Sequence, residues 1–199
     1  MKYFISMGSN EGPSEEIMGA ALHKLSLMPL LSIGKVSSLY KTPPWGKTDQ
    51  AEFLNAVIEA DWQDTPEGLL ELLLDTEKAF GRRRMMRWGP RTLDLDLLYG
   101  ENVEKQTEFL KLPHPFLWER LFVLVPFAEI MPCFIFKGQD IQSRIRELGG
   151  DKEIVKQEIT GKGAYPWQTK YEKSLICGQK RQRRICPAVY KMKNLFLMK

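Results

Sequence analysis

The chain has 199 residues, of which 43% are hydrophobic and 27% charged, a composition typical of one globular domain with a modest extension. This composition excludes wholesale disorder and fibrous repeats. The longest apolar stretch, residues 121–128, is far shorter than the roughly 20 residues of a membrane span. The net charge of +4 combines −4 over residues 1–149 with +8 over residues 150–199. Overall positive charge therefore does not attract a ligand to the first 149 residues.

The cysteines and the first residues indicate a cellular compartment. Cys133, Cys177 and Cys186 have no metal-ligand spacing and are an odd number, which suits a reducing environment. The first residues lack the apolar run and the small-residue cleavage site of a secretory signal. We therefore expect a cytoplasmic protein with no membrane association.

The first part of the chain is predicted to form a strand, a helix and further strands. Residues 2–8 are predicted to form a strand that ends in a glycine-rich turn. Ser14 is predicted to cap a helix that Pro29 stops. β-Rich sequence follows over residues 31–42, before a proline-rich loop. Residues 52–62 then alternate between apolar and other side chains, as in a strand with one buried face.

The second part of the chain repeats this helix-to-strand order. Thr65 is predicted to cap a helix with proline at its first position, and this helix ends near Gly81. Residues 92–99 alternate again, which predicts a strand with its leucines on one face. Helical sequence returns around residues 117–130 and 140–148.

The order β-α-β-β-α-β followed by additions predicts a ferredoxin-like α+β sandwich. This fold has an antiparallel sheet with helices packed mainly on one face, and we expect the other face to form the active site. We assign this domain to residues 1–160. Residues 161–199 are predicted to be a basic extension whose order is left open, since their apolar residues follow no regular period.

The sequence Asp94-Leu95-Asp96 is the clearest candidate for chemistry. Side chains two residues apart on a strand lie roughly 6.5–7 Å apart on the same face. Two carboxylates at this spacing can hold Mg²⁺ together with the phosphates of a substrate. The alternative is a strand with one solvated face, although aspartate is disfavoured in strands and two on one face repel each other without a counter-ion.

An arginine-rich loop immediately precedes this strand. Guanidinium groups match phosphate oxygens, and a cluster of them repels itself unless an anion lies among them. The combination with two carboxylates is typical of polyphosphate chemistry. The alternative is a solvated basic loop partly neutralised by nearby acids. The arginines are Arg82, Arg83, Arg84, Arg87 and Arg91.

Four further side chains have both a functional and a structural interpretation. Glu77 lies on the buried stripe of its helix, where it either meets an arginine of the adjoining loop or faces a site. Phe53 and Asn55 share the non-core face of their strand, which suits a flat heteroaromatic ligand or an aromatic covered by the proline-rich loop. His114, between two prolines, either donates to a phosphate or is structural.

Taken in order, these motifs resemble the 6-hydroxymethyl-7,8-dihydropterin pyrophosphokinases of folate biosynthesis. The resemblance extends over roughly residues 1–158, and its most specific part is the run that ends at Asp96. The motifs are Gly8-Ser9-Asn10, Tyr40-Lys41-Thr42-Pro43-Pro44, Phe53-Leu54-Asn55, Gly81-Arg82-Arg83-Arg84, Arg87-Trp88-Gly89-Pro90-Arg91-Thr92-Leu93-Asp94-Leu95-Asp96 and Pro113-His114.

The resemblance implies transfer of the β,γ-pyrophosphoryl group of ATP to the hydroxymethyl oxygen of the reduced pterin, with the pterin diphosphate and AMP as products. It implies two Mg²⁺ ions as cofactors and ATP as co-substrate. The expected partners are these small molecules, with no nucleic acid. We expect a monomer, and contacts with other folate-pathway enzymes are compatible with the resemblance.

The resemblance also implies a role for each matching residue. Arg82 and Arg91 would stabilise the transferring phosphates as catalytic residues, while Asp94 and Asp96 would be catalytic as ligands of both metal ions. Some relatives carry glutamine where this chain has Leu74, so we expect one ATP contact to be missing. The implied pterin-binding residues are Thr42, Pro43, Trp45, Phe53, Asn55 and Phe122. The implied ATP-binding residues are Glu77, Arg84, Leu97, His114 and Arg120.

Two other functions would use the same predicted features. An RNA-binding ferredoxin-like module would stack bases on Phe53 and Phe122 and use the basic extension as an electrostatic anchor. In that case, two acids on the open face would repel phosphate unless metal is bound. A metal-dependent nucleotidyltransferase would use the same carboxylate pair and release pyrophosphate instead of AMP.

Overall fold

The computed structural model describes residues 1–44, 50–82, 89–150 and 154–157. The predicted extension, residues 161–199, lies outside these ranges. The elements are, in chain order, β1 (Lys2–Ser9), α1 (Ser14–Ser26), β2 (Leu31–Val36), β3 (Tyr40–Thr42), β4 (Phe53–Trp62), α2 (Pro66–Ala79), β5 (Asp94–Gly100), β6 (Lys105–Gln106), β7 (Lys111–Leu112), α3 (Leu121–Ile130), β8 (Ile135–Phe136), β9 (Gln139–Asp140), α4 (Ile141–Glu147) and β10 (Val155–Lys156).

The main sheet confirms the predicted fold class. Its strands run in the order β10-β3-β4-β1-β5, β2 also pairs with β4, and the described pairings are antiparallel. In the β-α-β-β-α-β unit, β4 corresponds to the third strand and β5 to the fourth. β1 lies between these two strands, as in the ferredoxin-like arrangement. Gly8 of β1 faces Asn55 of β4 on one side and Asp94 of β5 on the other.

The predicted β-rich stretch, residues 31–42, forms two strands rather than one. β2 pairs with the C-terminal part of β4, and β3 pairs with its N-terminal end. Between them, the N–H of Ser37 donates to the carbonyl oxygen of Val57 at 2.9 Å, and its hydroxyl accepts from the Val57 N–H at 2.9 Å. This break lets the chain follow β4 along its whole length.

Helices α1 and α2 pack on one face of the sheet and form the first core. Leu25 and Leu73 are fully buried there against alternate residues of the strands. α2 begins as predicted, because the hydroxyl of Thr65 accepts a backbone N–H of its first turn at 3.2 Å. The prediction for Ser14 was wrong: it is the first helical residue, and its hydroxyl accepts from the Ser9 hydroxyl at 2.8 Å instead of capping the helix.

Strand β5 has the two faces that its alternation predicts. Two of its leucines belong to the first core, its two aspartates are partly exposed on the opposite face, and Leu98 belongs to the second core on that opposite face. The core-facing residues are Leu95 and Leu97, preceded by Leu93.

The opposite face is only partly open, because α3 and α4 pack on it and form a second core. Phe127 of α3 is fully buried, with its ring centroid 4.8 Å from that of Phe4 and 4.6 Å from that of Phe134. The part of the face that these helices leave open lies where β1 ends and β4 and β5 begin. No helix within the described ranges has both the length and the apolar character needed to cross a membrane.

We predict that Phe127→Ala lowers the free energy of unfolding by about 3–5 kcal/mol, because the substitution leaves a cavity between α3 and the sheet. The measurement is equilibrium unfolding in urea. Leu27→Ala is the control, since Leu27 is 65% exposed, and it should change the same free energy by less than about 0.5 kcal/mol. Equal effects of the two substitutions would contradict the described packing of α3.

Candidate active site

The ends of three strands bring the predicted site residues together on the open part of the sheet. Gly8 lies in register with Asn55 and Asp94, and Ser6 lies in register with Asp96. Because the strands are antiparallel neighbours, side chains far apart in sequence share one surface. The two carboxylates therefore lie across β1 from the amide of β4.

Gly8 has no side chain, and this leaves space for the side chains of Asn55 and Asp94 on the neighbouring strands. A Cβ atom at this position would lie 3.1 Å from Oδ1 of Asn55 and 3.9 Å from the Cβ of Asp94. A side chain here would therefore push against the Asn55 amide. This amide donates to the hydroxyl oxygen of Thr42 at 2.8 Å, and both side chains are buried.

A first cavity of about 660 Å³, including its open mouth, lies over this surface. Five of the six residues implied in pterin binding line it, and the sixth, Trp45, lies outside the described residues. Aromatic rings and amides thus face the same space as the two carboxylates. The lining residues are Ser6, Gly8, Thr42, Pro43, Gln50, Phe53, Asn55, Gly89, Arg91, Asp94, Asp96, Arg120 and Phe122.

A second cavity of about 1020 Å³, including its open mouth, lies between α2, β5 and the segment before α3. Three of the five residues implied in ATP binding line it, together with apolar side chains. Arg84 lies outside the described residues, and Arg120 lines the first cavity instead. The lining residues are Leu70, Leu74, Glu77, Arg82, Leu95, Asp96, Leu97, Glu108, Phe109, Leu110, Lys111, His114 and Pro115.

Asp96 lines both cavities and so joins them. Its Oδ2 lies 3.6 Å from Nη1 of Arg120. The Arg120 guanidinium also lies over two rings, 4.8 Å from the centroid of Phe116 and 5.7 Å from that of Phe122, where cation–π attraction helps to hold it. Arg120 is therefore placed beside the junction of the two cavities.

Asp94 is paired with two arginines. Nη2 of Arg82 lies 2.7 Å from Oδ1 of Asp94, and Nη1 of Arg91 pairs with Oδ2 of the same carboxylate. Arg82 lines the second cavity and Arg91 lines the first. Asp94 therefore holds one guanidinium group on each side of the junction.

Glu77 connects this network to the first core. It is 2% exposed, pairs with Arg82, and its Oε1 accepts the N–H of Leu95 at 2.7 Å. Burial raises the pKa of Glu77 to about 7, against the lowering effect of the Leu95 N–H and of Arg82. Glu77 thus meets the arginine of the adjoining loop and also lines the second cavity, and its functional role stays a prediction.

Burial also shifts the pKa values of two other polar groups in the cleft. The pKa of Asp96 is raised to about 6, mainly by burial and secondly by the charge of Asp94. The pKa of His114 is lowered to about 4, mainly by burial and secondly by the charge of Arg120. His114 is therefore neutral at pH 7, and its Nδ1 accepts the N–H of Phe116 at 3.2 Å.

Asn10 is a buried residue that contacts the lining of the first cavity without lining it, and the sequence alone did not identify it as functional. Its backbone N–H donates to the carbonyl oxygen of Arg91 at 3.0 Å, and its Oδ1 accepts the Arg91 N–H at 2.8 Å. Its Nδ2 donates to the carbonyl oxygen of Ala51 at 3.1 Å and to Oε1 of Gln50 at 3.3 Å. Its position in the Gly8-Ser9-Asn10 motif was the available signal.

The described residues contain no group of three or more histidines, cysteines, aspartates or glutamates arranged to hold a metal ion. The carboxylates that face the junction of the cavities are Asp94 and Asp96, with Glu77 behind them. Any cation here would thus complete its coordination with oxygens that do not come from these side chains.

Residues 4–132 match the model of the family described as 7,8-dihydro-6-hydroxymethylpterin-pyrophosphokinase (HPPK). The chain belongs to this family. It therefore transfers a pyrophosphoryl group from ATP to the hydroxymethyldihydropterin in folate biosynthesis, and the predicted family and activity are confirmed. Neither the RNA-binding nor the nucleotidyltransferase alternative gains support from this match.

Two relatives are named 2-amino-4-hydroxy-6-hydroxymethyldihydropteridine pyrophosphokinase. The protein of Methylorubrum extorquens is 43% identical over 145 residues, which cover 73% of this chain and 92% of the relative. The protein of Bacillus subtilis is 46% identical over 127 residues, which cover 64% of this chain and 76% of the relative.

A solved structure of wild-type Plasmodium falciparum HPPK-DHPS supports the fold. It superimposes with a TM-score of 0.56 at 14% identity, over 73% of this chain and 40% of that chain. This chain thus spans less than half of the Plasmodium protein, and the similarity concerns the architecture alone.

We predict that Gly8→Ala raises the KM for the pterin about tenfold, because the new methyl group displaces the Asn55 amide from the first cavity. The free energy of unfolding should change little, since alanine suits a strand at least as well as glycine. Steady-state kinetics with each substrate varied in turn measures the effect.

A double-mutant cycle with Asn55→Ala tests the cause. If Gly8→Ala acts through the Asn55 side chain, it should add little to the effect of Asn55→Ala. Full additivity of the two substitutions would contradict this explanation.

Proposed function

We propose that the first cavity holds the reduced pterin and the second cavity holds ATP, with pyrophosphoryl transfer at their junction. One observation carries this proposal: Asp96 lines both cavities, and Asp94 pairs with an arginine from each of them. A phosphate chain that reaches from one cavity to the other must pass these carboxylates and guanidinium groups.

The first cavity suits a flat heteroaromatic ring. Phe53 and Phe122 both line it and offer aromatic faces for stacking. The buried Asn55 and Thr42 provide amide and hydroxyl groups beside Pro43. We propose that these five residues, together with Trp45, bind the pterin and turn its hydroxymethyl group toward the junction.

The second cavity suits a nucleotide. Leucines of α2 and β5, among them Leu74 and Leu97, form an apolar wall for the base. We propose that the backbone of Leu97 binds the adenine, with no side-chain amide at position 74 to help. Neutral His114 and the cationic Arg120, with Arg84, bind the phosphates, and Glu77 lines the site.

The residues of the junction fit Mg²⁺ ions that are shared with the substrate. Magnesium commonly takes one or two carboxylates plus phosphate oxygens, and the described site offers Asp94 and Asp96 in this role. Burial, followed by repulsion from Asp94, raises the pKa of Asp96, and a divalent cation would relieve that repulsion. Two bound ions would neutralise negative charge on the transferring group.

Arg82 and Arg91 would then exchange partners. In the structure they neutralise Asp94. If Asp94 held a cation, the guanidinium groups of Arg82 and Arg91 would be available to bind phosphate oxygens. This exchange would place positive charge where the transition state gains negative charge.

The reaction that we propose is an in-line displacement. The hydroxymethyl oxygen of the pterin forms a bond to the β-phosphorus of ATP while the bond from that phosphorus to the α,β-bridging oxygen breaks. AMP leaves with the bridging oxygen, and the hydroxyl proton passes to solvent. The protein contributes chiefly by positioning both substrates and by neutralising charge.

We further propose that residues 1–160 form the catalytic domain and that the basic extension, residues 161–199, is dispensable for it. Among the described residues, those that line the two cavities all lie before position 123. We also propose that the protein acts in the cytoplasm as a monomer. As a monomer it can still contact other folate-pathway enzymes.

Identification of the nucleotide product tests the function. The protein, ATP, Mg²⁺ and the reduced pterin should yield AMP and the pterin diphosphate. Asp94→Ala and Asp96→Ala should each lower this rate at least about 100-fold, because both remove charge from the site of transfer. Chromatography of the nucleotides measures the product, and circular dichroism checks the fold of the variants.

The matched control is Asp75→Ala, which removes a carboxylate of α2 that is 71% exposed. It should retain the full rate. Near-normal turnover by either junction variant would overturn the assignment of Asp94 and Asp96. Release of pyrophosphate instead of AMP would indicate a nucleotidyltransferase.

Truncation after residue 160 tests the role of the extension. The shortened chain should keep pterin-dependent AMP production within about twofold, because the extension is remote in sequence from the residues that line either cavity. A loss of rate well beyond that range would show that the extension contributes to the active site.

A further inference from the structure

Glu129 is a polar connection between α3 and the edge of the sheet. Its carboxylate accepts four hydrogen bonds: from the N–H of Ser38 at 2.7 Å, the hydroxyl of Ser38 at 2.8 Å, the hydroxyl of Tyr40 at 3.0 Å and Nζ of Lys156 at 2.9 Å. These partners belong to β3, to the turn before it, and to β10. Glu129 lines neither cavity.

The two structures that Glu129 joins both contribute walls to the first cavity. α3 carries Phe122 in its first turn and follows directly after Arg120. β3 ends at Thr42 and pairs with the end of β4 that carries Phe53. The spacing between these walls therefore depends on how α3 lies relative to β3.

Apolar packing alone does not determine this spacing closely. The contacts of α3 with the sheet in the second core are apolar, and such contacts are non-directional. Polar connections at the C-terminal end of α3 restrict it further: Nζ of Lys35 donates to the carbonyl oxygen of Ile130 at 3.0 Å, next to the Glu129 cluster. A hydrogen-bonded carboxylate with several partners fixes direction as well as distance.

The ionisation state of the Glu129 carboxylate agrees with hydrogen bonds that persist at neutral pH. Burial alone would raise its pKa, but the hydrogen bonds from Lys156, Ser38 and Tyr40 lower the pKa of Glu129 below its ordinary value. The carboxylate thus stays ionised and keeps accepting these bonds at neutral pH.

We propose that Glu129 is a positioning residue for the pterin: by tying the C-terminal end of α3 to β3, it sets the width of the slot between Phe122 and Phe53. This inference rests on the proposed placement of the pterin in the first cavity. Glu129 lies seven residues, or about 10 Å along the helix axis, from Phe122. It therefore acts through the orientation of the helix and not by contact with the substrate.

The primary test is Glu129→Ala, with the binding of each substrate measured separately by fluorescence titration. The dissociation constant of the pterin should rise at least about tenfold, because a small misplacement of a stacking ring has a large effect. The dissociation constant of MgATP should stay within about twofold. Glu129→Gln should largely restore pterin binding, since its amide oxygen still accepts from Ser38 and Tyr40.

Two controls separate positioning from general effects. Lys156→Met removes the solvent-side partner but leaves Ser38 and Tyr40 bound to the carboxylate, so pterin binding should not change. Leu25→Ala weakens the first core, on the other face of the sheet, and should lower thermal stability without a selective loss of pterin affinity. A loss of pterin affinity in Leu25→Ala as large as in Glu129→Ala would overturn the proposal.

A second variant keeps the test valid if Glu129→Ala does not fold. Ser38→Ala combined with Tyr40→Phe removes the two hydroxyl donors from the side of β3, leaves only the Ser38 backbone N–H and Nζ of Lys156 on the carboxylate, and should weaken pterin binding selectively. Unchanged pterin affinity, or an equal loss for both substrates, would overturn the role of Glu129. Phe53→Ala tests the underlying placement separately: if it leaves pterin affinity unchanged, the pterin does not bind in the first cavity.

Discussion

The cleft is organised around the repulsion between two carboxylates on one face of β5. Asp94 and Asp96 are held close together in a partly buried place, where burial and the charge of Asp94 raise the pKa of Asp96. Arg82 and Arg91 form ion pairs with Asp94, and Arg120 lies beside Asp96. The need to offset this repulsion brings these guanidinium groups together at the place where we propose that phosphates and metal ions bind.

The first core supports this charged surface from behind. Glu77 of α2 accepts the backbone N–H of Leu95, which lies between the two aspartates, and pairs with Arg82. The packing of α2 against the sheet therefore determines where the Arg82 guanidinium lies. A buried carboxylate in this place is unfavourable by itself, and its hydrogen bonds and its cation offset only part of the effect of burial, which still raises the pKa of Glu77 to about 7.

The second core turns an open sheet into an enclosed substrate site. Without α3 the sheet would present Phe53 and Asn55 on a flat surface. α3 packs over part of that face, so Phe122 and Arg120 line the same cavity as Phe53 and Asn55. The carboxylates then lie at the junction of the two cavities. The chemistry thus depends on a helix that lies outside the β-α-β-β-α-β unit.

The sequence by itself determined the elements, the fold class and the faces of β5, because a two-residue period directly reports which side of a strand is buried. The dense run that ends at Asp96 also determined the family. Only the tertiary structure decided that Arg120 lines the first cavity, that Asn10 holds Arg91, and that Glu129 holds Ser38. These contacts join residues 81 and 91 positions apart, and local periodicity carries no information about which distant groups a folded chain brings together.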